Sequence, residues 1–195
     1  MLNYKLLRLM NLFDIKLQAK TRKQKCLLQY TLSAITRKRK MKKRPTIHVP
    51  HGYIAFGKST LARKLAESLP AVLINFDEWG KKLYGPDLDM EKIKIMNPLL
   101  YGMAGQIISM GMDIVFDGGY WSKSARKDLA DFAKSINAQL IFYEITLDME
   151  TARTRMKKRN DENNPLLFVG EEFFDDNISK YSKISDDENL QVEKV

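Results

Sequence analysis

The chain has 195 residues, 44% of them apolar and 29% charged, which is one domain's worth of a globular protein with length enough to bury a sizeable core. It holds no apolar run of about eighteen residues, which excludes a spanning helix, and its single cysteine, Cys26, excludes an internal disulfide, so a reducing cytoplasmic setting is expected. The net charge of +9 is unevenly spread: residues 1–44 carry fourteen Lys and Arg against one acid, Asp14, and the other 151 residues balance at −4, which gives the domain itself no basic track for nucleic acid.

Residues 1–44 form a basic leader expected to lie outside the fold, and they read in three ways. Leu6, Leu9, Met10, Phe13 and Leu17 recur at helical spacing with cations elsewhere, as in a membrane-surface helix or a targeting segment. The run Arg37-Lys38-Arg39-Lys40 followed by Lys42-Lys43-Arg44 fits a nucleic-acid arm. The favoured reading is plainer: Met41-Lys42-Lys43-Arg44-Pro45 resembles an ordinary cytosolic start, with the preceding forty residues an upstream in-frame extension. In all three the domain spans residues 45–195.

Thr46-Ile47-His48-Val49 is a β-branched run closed by Pro50, and it leads into Gly52-Tyr53-Ile54-Ala55-Phe56-Gly57-Lys58-Ser59-Thr60. This fits the phosphate-cradling pattern Gly-x-x-x-x-Gly-Lys-Ser/Thr, with a helix after it whose apolar stripe is Leu61, Ala62, Leu65, Ala66 and Leu69. A triphosphate needs many N–H donors, one mobile cation and a hydroxyl for Mg²⁺. The loop backbone, Lys58 and Ser59 supply them. Ala55 and Phe56 stand where a glycine and a small residue are usual, so Ala55 is expected to carry about 1 kcal/mol of strain if its φ is positive.

Residues 71–76 read as a second buried strand, with Asp77-Glu78-Trp79 at its carboxyl end, where ligands of a parallel sheet sit. Asp77 reads either as the carboxylate that accepts the proton of an attacking hydroxyl or as an N-cap. Trp79 and Tyr84 read as core or cleft wall. Residues 86–111 read as helical with a break or kink at Asn97-Pro98, with Leu99, Leu100, Met103, Ile107 and Ile108 facing the sheet. The third strand, 113–117, ends in Asp117 before Gly118-Gly119; Asp117 could hold a magnesium-bound water, bind the acceptor, or satisfy turn N–H groups.

Ser122 suits the N-cap of a helix to about residue 136, and Arg126 in its first turns reads as a phosphate or acceptor contact or as a solvated surface residue. A fourth strand covers 138–147. Asp148 caps a helix bearing Arg153, Arg155, Lys157, Lys158 and Arg159, which reads as a solvated face or as a lid that neutralises phosphoryl charge. The polar run Asn160 to Pro165 is the loop after it. From Gly170 a last helix is expected to turn Phe173, Phe174, Ile178 and Tyr181 inward, before a short strand near Leu190-Gln191-Val192.

With Gly52 to Ser59, Asp77-Glu78-Trp79, the strand ending in Asp117 and Arg155-x-x-x-Arg159-Asn160 in that order, the chain resembles small bacterial P-loop kinase-like, AAA-type ATP-binding proteins. That group is related to chloramphenicol phosphotransferase, zeta-toxin and polynucleotide-kinase-type enzymes. The resemblance covers about residues 46–192. It implies an α/β P-loop nucleoside-triphosphate hydrolase fold: a five-stranded parallel sheet of order 2-3-1-4-5 between helices, with a helical lid, and Mg-ATP as donor. It also implies phosphate and magnesium roles for Lys58 and Ser59, a base at Asp77, an acceptor-side arginine at Arg126 and lid arginines at Arg155 and Arg159.

The function expected is phosphoryl transfer from ATP to a hydroxyl of a small molecule. A nucleic-acid 5′-hydroxyl kinase is disfavoured by the acidic balance of the domain. A nucleotide-regulated binding module with little catalysis is left open by Ala55 and Phe56.

Overall fold

The computed structural model describes residues 44–161 and 168–195. The basic leader up to residue 43, with its three readings, and Glu162 to Pro165 of the expected polar loop lie outside the described residues. Five strands, β1 (Thr46–His51), β2 (Val72–Asn75), β3 (Ile114–Asp117), β4 (Gln139–Glu144) and β5 (Gln191–Lys194), form one sheet of order β2-β3-β1-β4-β5. Every pair is parallel, with Asn75 level with Asp117 and His51 level with Glu144. The expected order and direction of the sheet are those observed.

The helices are α1 (Lys58–Ser68), α2 (Phe76–Tyr84), α3 (Met90–Ser109), α4 (Lys123–Ser135), α5 (Met149–Asp161) and the short α6 (Glu171–Asp176). Local chemistry sets their starts. Ser122 accepts the Ala125 N–H at 3.1 Å to cap α4, and Asp148 accepts the Thr151 N–H at 2.7 Å ahead of α5. The cap of α2 is Asn75, whose Oδ1 accepts the Glu78 N–H at 2.8 Å, so Asp77 is not the N-cap. β1 and β3 are buried along their whole length, and Ile47, Val49, Ile74, Phe116 and Phe142 join Leu100, Ala104, Leu129 and Ala133 in the main core.

Three expectations are corrected. Helix α3 is continuous through Pro98 rather than broken there, even though the proline ring removes a hydrogen bond from the Lys94 carbonyl. An unbroken 3.6-residue period then turns Met96, Leu100, Ala104, Ile107 and Ile108 inward and leaves Leu99 68% exposed. Of the four residues expected to turn inward in the last segment, only Phe174 is buried: α6 ends at Asp176, so Phe173 and Ile178 are exposed and Tyr181 lies half-buried in extended chain. Trp79, read as core or cleft wall, is 40% exposed on α2.

Candidate active site

The carboxyl ends of β1, β2 and β3 deliver, in turn, the glycine loop, Asp77 and Asp117 to one edge of the sheet. The loop is shaped by two glycines for different reasons. Gly57 has φ 100°, which a side chain rarely tolerates, whereas a Cβ on Gly52 would lie 2.9 Å from the Phe56 ring. Ala55 takes φ 61°, so the strain expected there is present. Gly57 caps α1 without a side-chain hydrogen bond, which leaves the first-turn N–H groups facing a ligand site.

The bulky loop residues turn away from that site. Tyr53, Ile54 and Phe56 are buried in a second core with Ala152, Met156 and Phe174. The Tyr53 hydroxyl donates to the Phe174 carbonyl, and its ring packs on Phe56, Trp121, Phe174 and Tyr181 at centroid distances of 5.1 to 6.3 Å. Tyr53, Ile54 and Phe56 therefore offer a phosphate their backbone rather than their side chains.

Lys58 donates to the Tyr53 carbonyl at 2.8 Å and sits 5.7 Å from the centre of the Trp121 ring. Burial lowers its pKa to about 8, against the raising effect of Asp117 and Asp77, with Arg159 adding to the fall. It is a cation held with too little counter-charge, which an anionic ligand would supply. Asn75 Nδ2 donates to Asp117 Oδ2 at 2.7 Å, and the nearby Ser59 hydroxyl acts to lower the pKa of the Asp117 carboxyl. Burial nevertheless pushes the Asp117 carboxyl up, with the Asp77 charge adding to it. Asp77 itself is exposed in the first turn of α2, at the mouth of a cavity of about 220 Å³.

The basic residues of α5 separate into two groups. Arg153 pairs with Asp175 and stacks on Phe174 at 5.0 Å, and Lys157 pairs with Glu171 at 3.0 Å, so both fasten α5 to α6. Arg159 is half-buried, with Nε and Nη2 buried and without partners among the described residues. Burial lowers its pKa, and the Asp77 charge opposes the fall. Arg155 is exposed and is not brought to this group.

Arg126 requires a correction. Its side chain is fully buried: Nε and Nη2 each meet a Glu188 oxygen at 2.7 Å, and Nη1 donates to the carbonyls of Trp121 at 3.0 Å and Ser182 at 3.1 Å. Every edge of the guanidinium is spent on joining the Tyr120–Trp121 backbone to the C-terminal segment, so it acts as an anchor rather than as an acceptor contact. The pair holds the Glu188 carboxyl down at about 2. Three residues beside the site were not singled out from the sequence. Trp121 forms part of the wall over Lys58, Asn75 orients Asp117, and His51 lies within 3.3 Å of Arg126 with its pKa lowered to about 4, chiefly by burial. Asn75 before an Asp-Glu turn is a capping pattern that could have found one of them.

The metal expectation can be tested on the donor set. Among the described residues no cluster of three or more His, Cys, Asp or Glu could hold a metal. The Ser59 hydroxyl beside a buried carboxylate is instead a hard-oxygen pair of the kind that takes Mg²⁺ together with substrate phosphates and water, and the residues fit that ion.

Residues 47–184 match the family described as AAA domain. No curated protein matches the chain. Solved structures with the same fold include a candidate kinase from Chloroflexus aurantiacus, 16% identical, with TM-score 0.62 over 78% of this chain and 88% of that one. Chaetomium thermophilum Kti12, solved with ADP-AlF3, is 17% identical with TM-score 0.61 over 76% and 88%. A chain of the Pnkp1/Rnl/Hen1 RNA repair complex is 19% identical with TM-score 0.59 over 70% of this chain and 43% of that one.

Proposed function

The chain belongs to the AAA domain family, and from that premise we propose that it transfers the γ-phosphate of Mg-ATP to a hydroxyl of a small-molecule acceptor. One observation supports the reading: the phosphate loop with Lys58 and Ser59, Asp77 and Asp117 stand at the carboxyl ends of the neighbouring strands β1, β2 and β3, and Arg159 on α5 keeps Nε and Nη2 without partners among the described residues. Phosphoryl transfer asks a protein for little else than cations around the phosphate and a base beside the acceptor.

In this reading the loop N–H groups and Lys58 bind the β- and γ-phosphates, and Lys58 leaves the Tyr53 carbonyl to do so. Ser59 and Asp117 would hold Mg²⁺, which when bound neutralises phosphate charge. Arg159 stabilises the charge spread over the transferring group. Asp77 accepts the proton of the acceptor hydroxyl as its oxygen bonds to phosphorus and the bond to ADP breaks. The acidic balance of residues 45–195 favours a small acceptor over a polyanion. Among the described residues no helix is long and apolar enough to cross a membrane, and the lone cysteine favours the cytoplasm as the setting.

The test is γ-phosphate transfer by the full chain with Mg-ATP, against Lys58→Ala and Asp77→Asn. Asp77→Asn is expected to spare ATP affinity and to lower kcat at least about a hundredfold. Unchanged turnover in that variant would remove Asp77 from the chemistry and leave a nucleotide-binding module.

A further inference from the structure

Resting on the phosphotransferase reading, we infer that the acceptor is a compact, uncharged polyhydroxy compound, no larger than a monosaccharide. The cavity at Asp77 is about 220 Å³. That is below the ~300 Å³ at which pockets for drug-sized ligands begin, and equals the room of about seven waters at ~30 Å³ each. At the packing density of protein interiors it takes on the order of a dozen non-hydrogen atoms. A nucleoside or a multi-ring antibiotic would extend beyond it.

Its lining gives the charge. Among the described residues Asp77 is the only charged one on the walls; Leu88, Ile93 and Met96 supply apolar surface, and Gly118 and Gly119 supply backbone. Lys58 and Arg159 do not line it and are claimed by the donor phosphates. A carboxylate or phosphate on the acceptor would enter beside a like charge with no cation to pair it.

The hydrogen-bonding groups point the same way. Tyr101 and Tyr120 share one hydrogen bond between their hydroxyls at 3.1 Å, which leaves the pair one free donor. Asn97 also lines the cavity, and its Oδ1 is an acceptor without a partner among the described residues. A ligand must therefore both accept and donate. A hydroxyl does both, whereas a carboxylate seated against Asn97 would only accept and leave Oδ1 unsatisfied. Asn97 becomes the specificity residue of the acceptor pocket.

The experiment compares matched acceptors on the full chain with Mg-ATP: glycerol, a hexitol and a hexose, each against its sugar-acid or phosphate counterpart, with a 5′-hydroxyl oligonucleotide alongside. The neutral member of at least one pair is expected to be preferred at least about a hundredfold in kcat/KM. Asn97→Leu is expected to raise KM for it about tenfold with kcat little changed, and Asn97→Lys to move preference towards the anion. Lys58-dependent transfer that prefers an anionic acceptor or the oligonucleotide overturns the inference while sparing the kinase reading. So does Lys58-dependent turnover that no compact neutral acceptor stimulates. Turnover indistinguishable between the parent and Lys58→Ala overturns both.

Discussion

Glu188→Gln is expected to cost the fold about 3 kcal/mol. The carboxyl is 4% exposed and its pKa falls from 4.5 to about 2, which at about 1.4 kcal/mol per unit corresponds to roughly 3 kcal/mol. Loss of one partner of a buried pair independently predicts 3–5 kcal/mol, because the other charge is left buried and unpaired. Because the folded pKa is depressed, this stability is fully present above pH 4.5 and is lost as the pH falls through about 2. Urea unfolding followed by tryptophan fluorescence should show a midpoint lower by ~1–2 M at unchanged slope. The double variant Arg126→Met, Glu188→Leu should regain most of the loss, since apolar groups of similar size replace a buried pair well. The reasoning fails if Arg126→Met unfolds like the parent while transfer drops a hundredfold at unchanged ATP affinity; the guanidinium would then act on substrate.

Lys58 titrates near 8 without ligand and is raised by a phosphate beside it, so ATP affinity should be flat below pH 8 and fall by up to tenfold per pH unit above it; calorimetry between pH 7 and 9.5 reads this, and a flat profile refutes it. Ala55→Gly relieves a left-handed alanine at about 1–2 kcal/mol but loses about 0.4–1 kcal/mol to chain entropy, so thermal unfolding should rise by ~1–3 °C. Arg159→Ala should lower kcat at least about tenfold, whereas Arg155→Ala, on an exposed position, should stay within about twofold in steady-state kinetics.

The sheet and the phosphate loop were legible because their signals are local: a β-branched run, a glycine pattern and an apolar stripe lie within a few residues of one another. Asp77 and Asp117 could be placed at the site because Asp117 closes β3, Asp77 follows the end of β2 by two residues, and parallel strands bring their carboxyl ends together. Arg126 could not be read, since its partner Glu188 is sixty-two residues away and belongs to a segment with no periodic pattern. The choice between Arg155 and Arg159 depends on which face of α5 the buried Ala152 and Met156 turn inward. Leu99 was misplaced for a related reason: a proline that breaks most helices is here overridden by the packing of Met96, Leu100 and Ala104 on either side of it.

Phe56 shows how bulk in a phosphate loop can be compatible with phosphate binding. A large side chain there obstructs a ligand only if it points at it, and Phe56 instead fills the space over Gly52 and packs on Tyr53 and Tyr181. Tyr53 in turn hydrogen-bonds the Phe174 carbonyl, and the Trp121 backbone ties Ser182 to Arg126. The loop is thereby fastened to α6 and to the C-terminal segment. A loop so fastened gives up less conformational entropy when it wraps a triphosphate, which offsets the strain at Ala55. The same fastening makes the Arg126–Glu188 anchor a condition of the loop's shape, although neither residue reaches the phosphate.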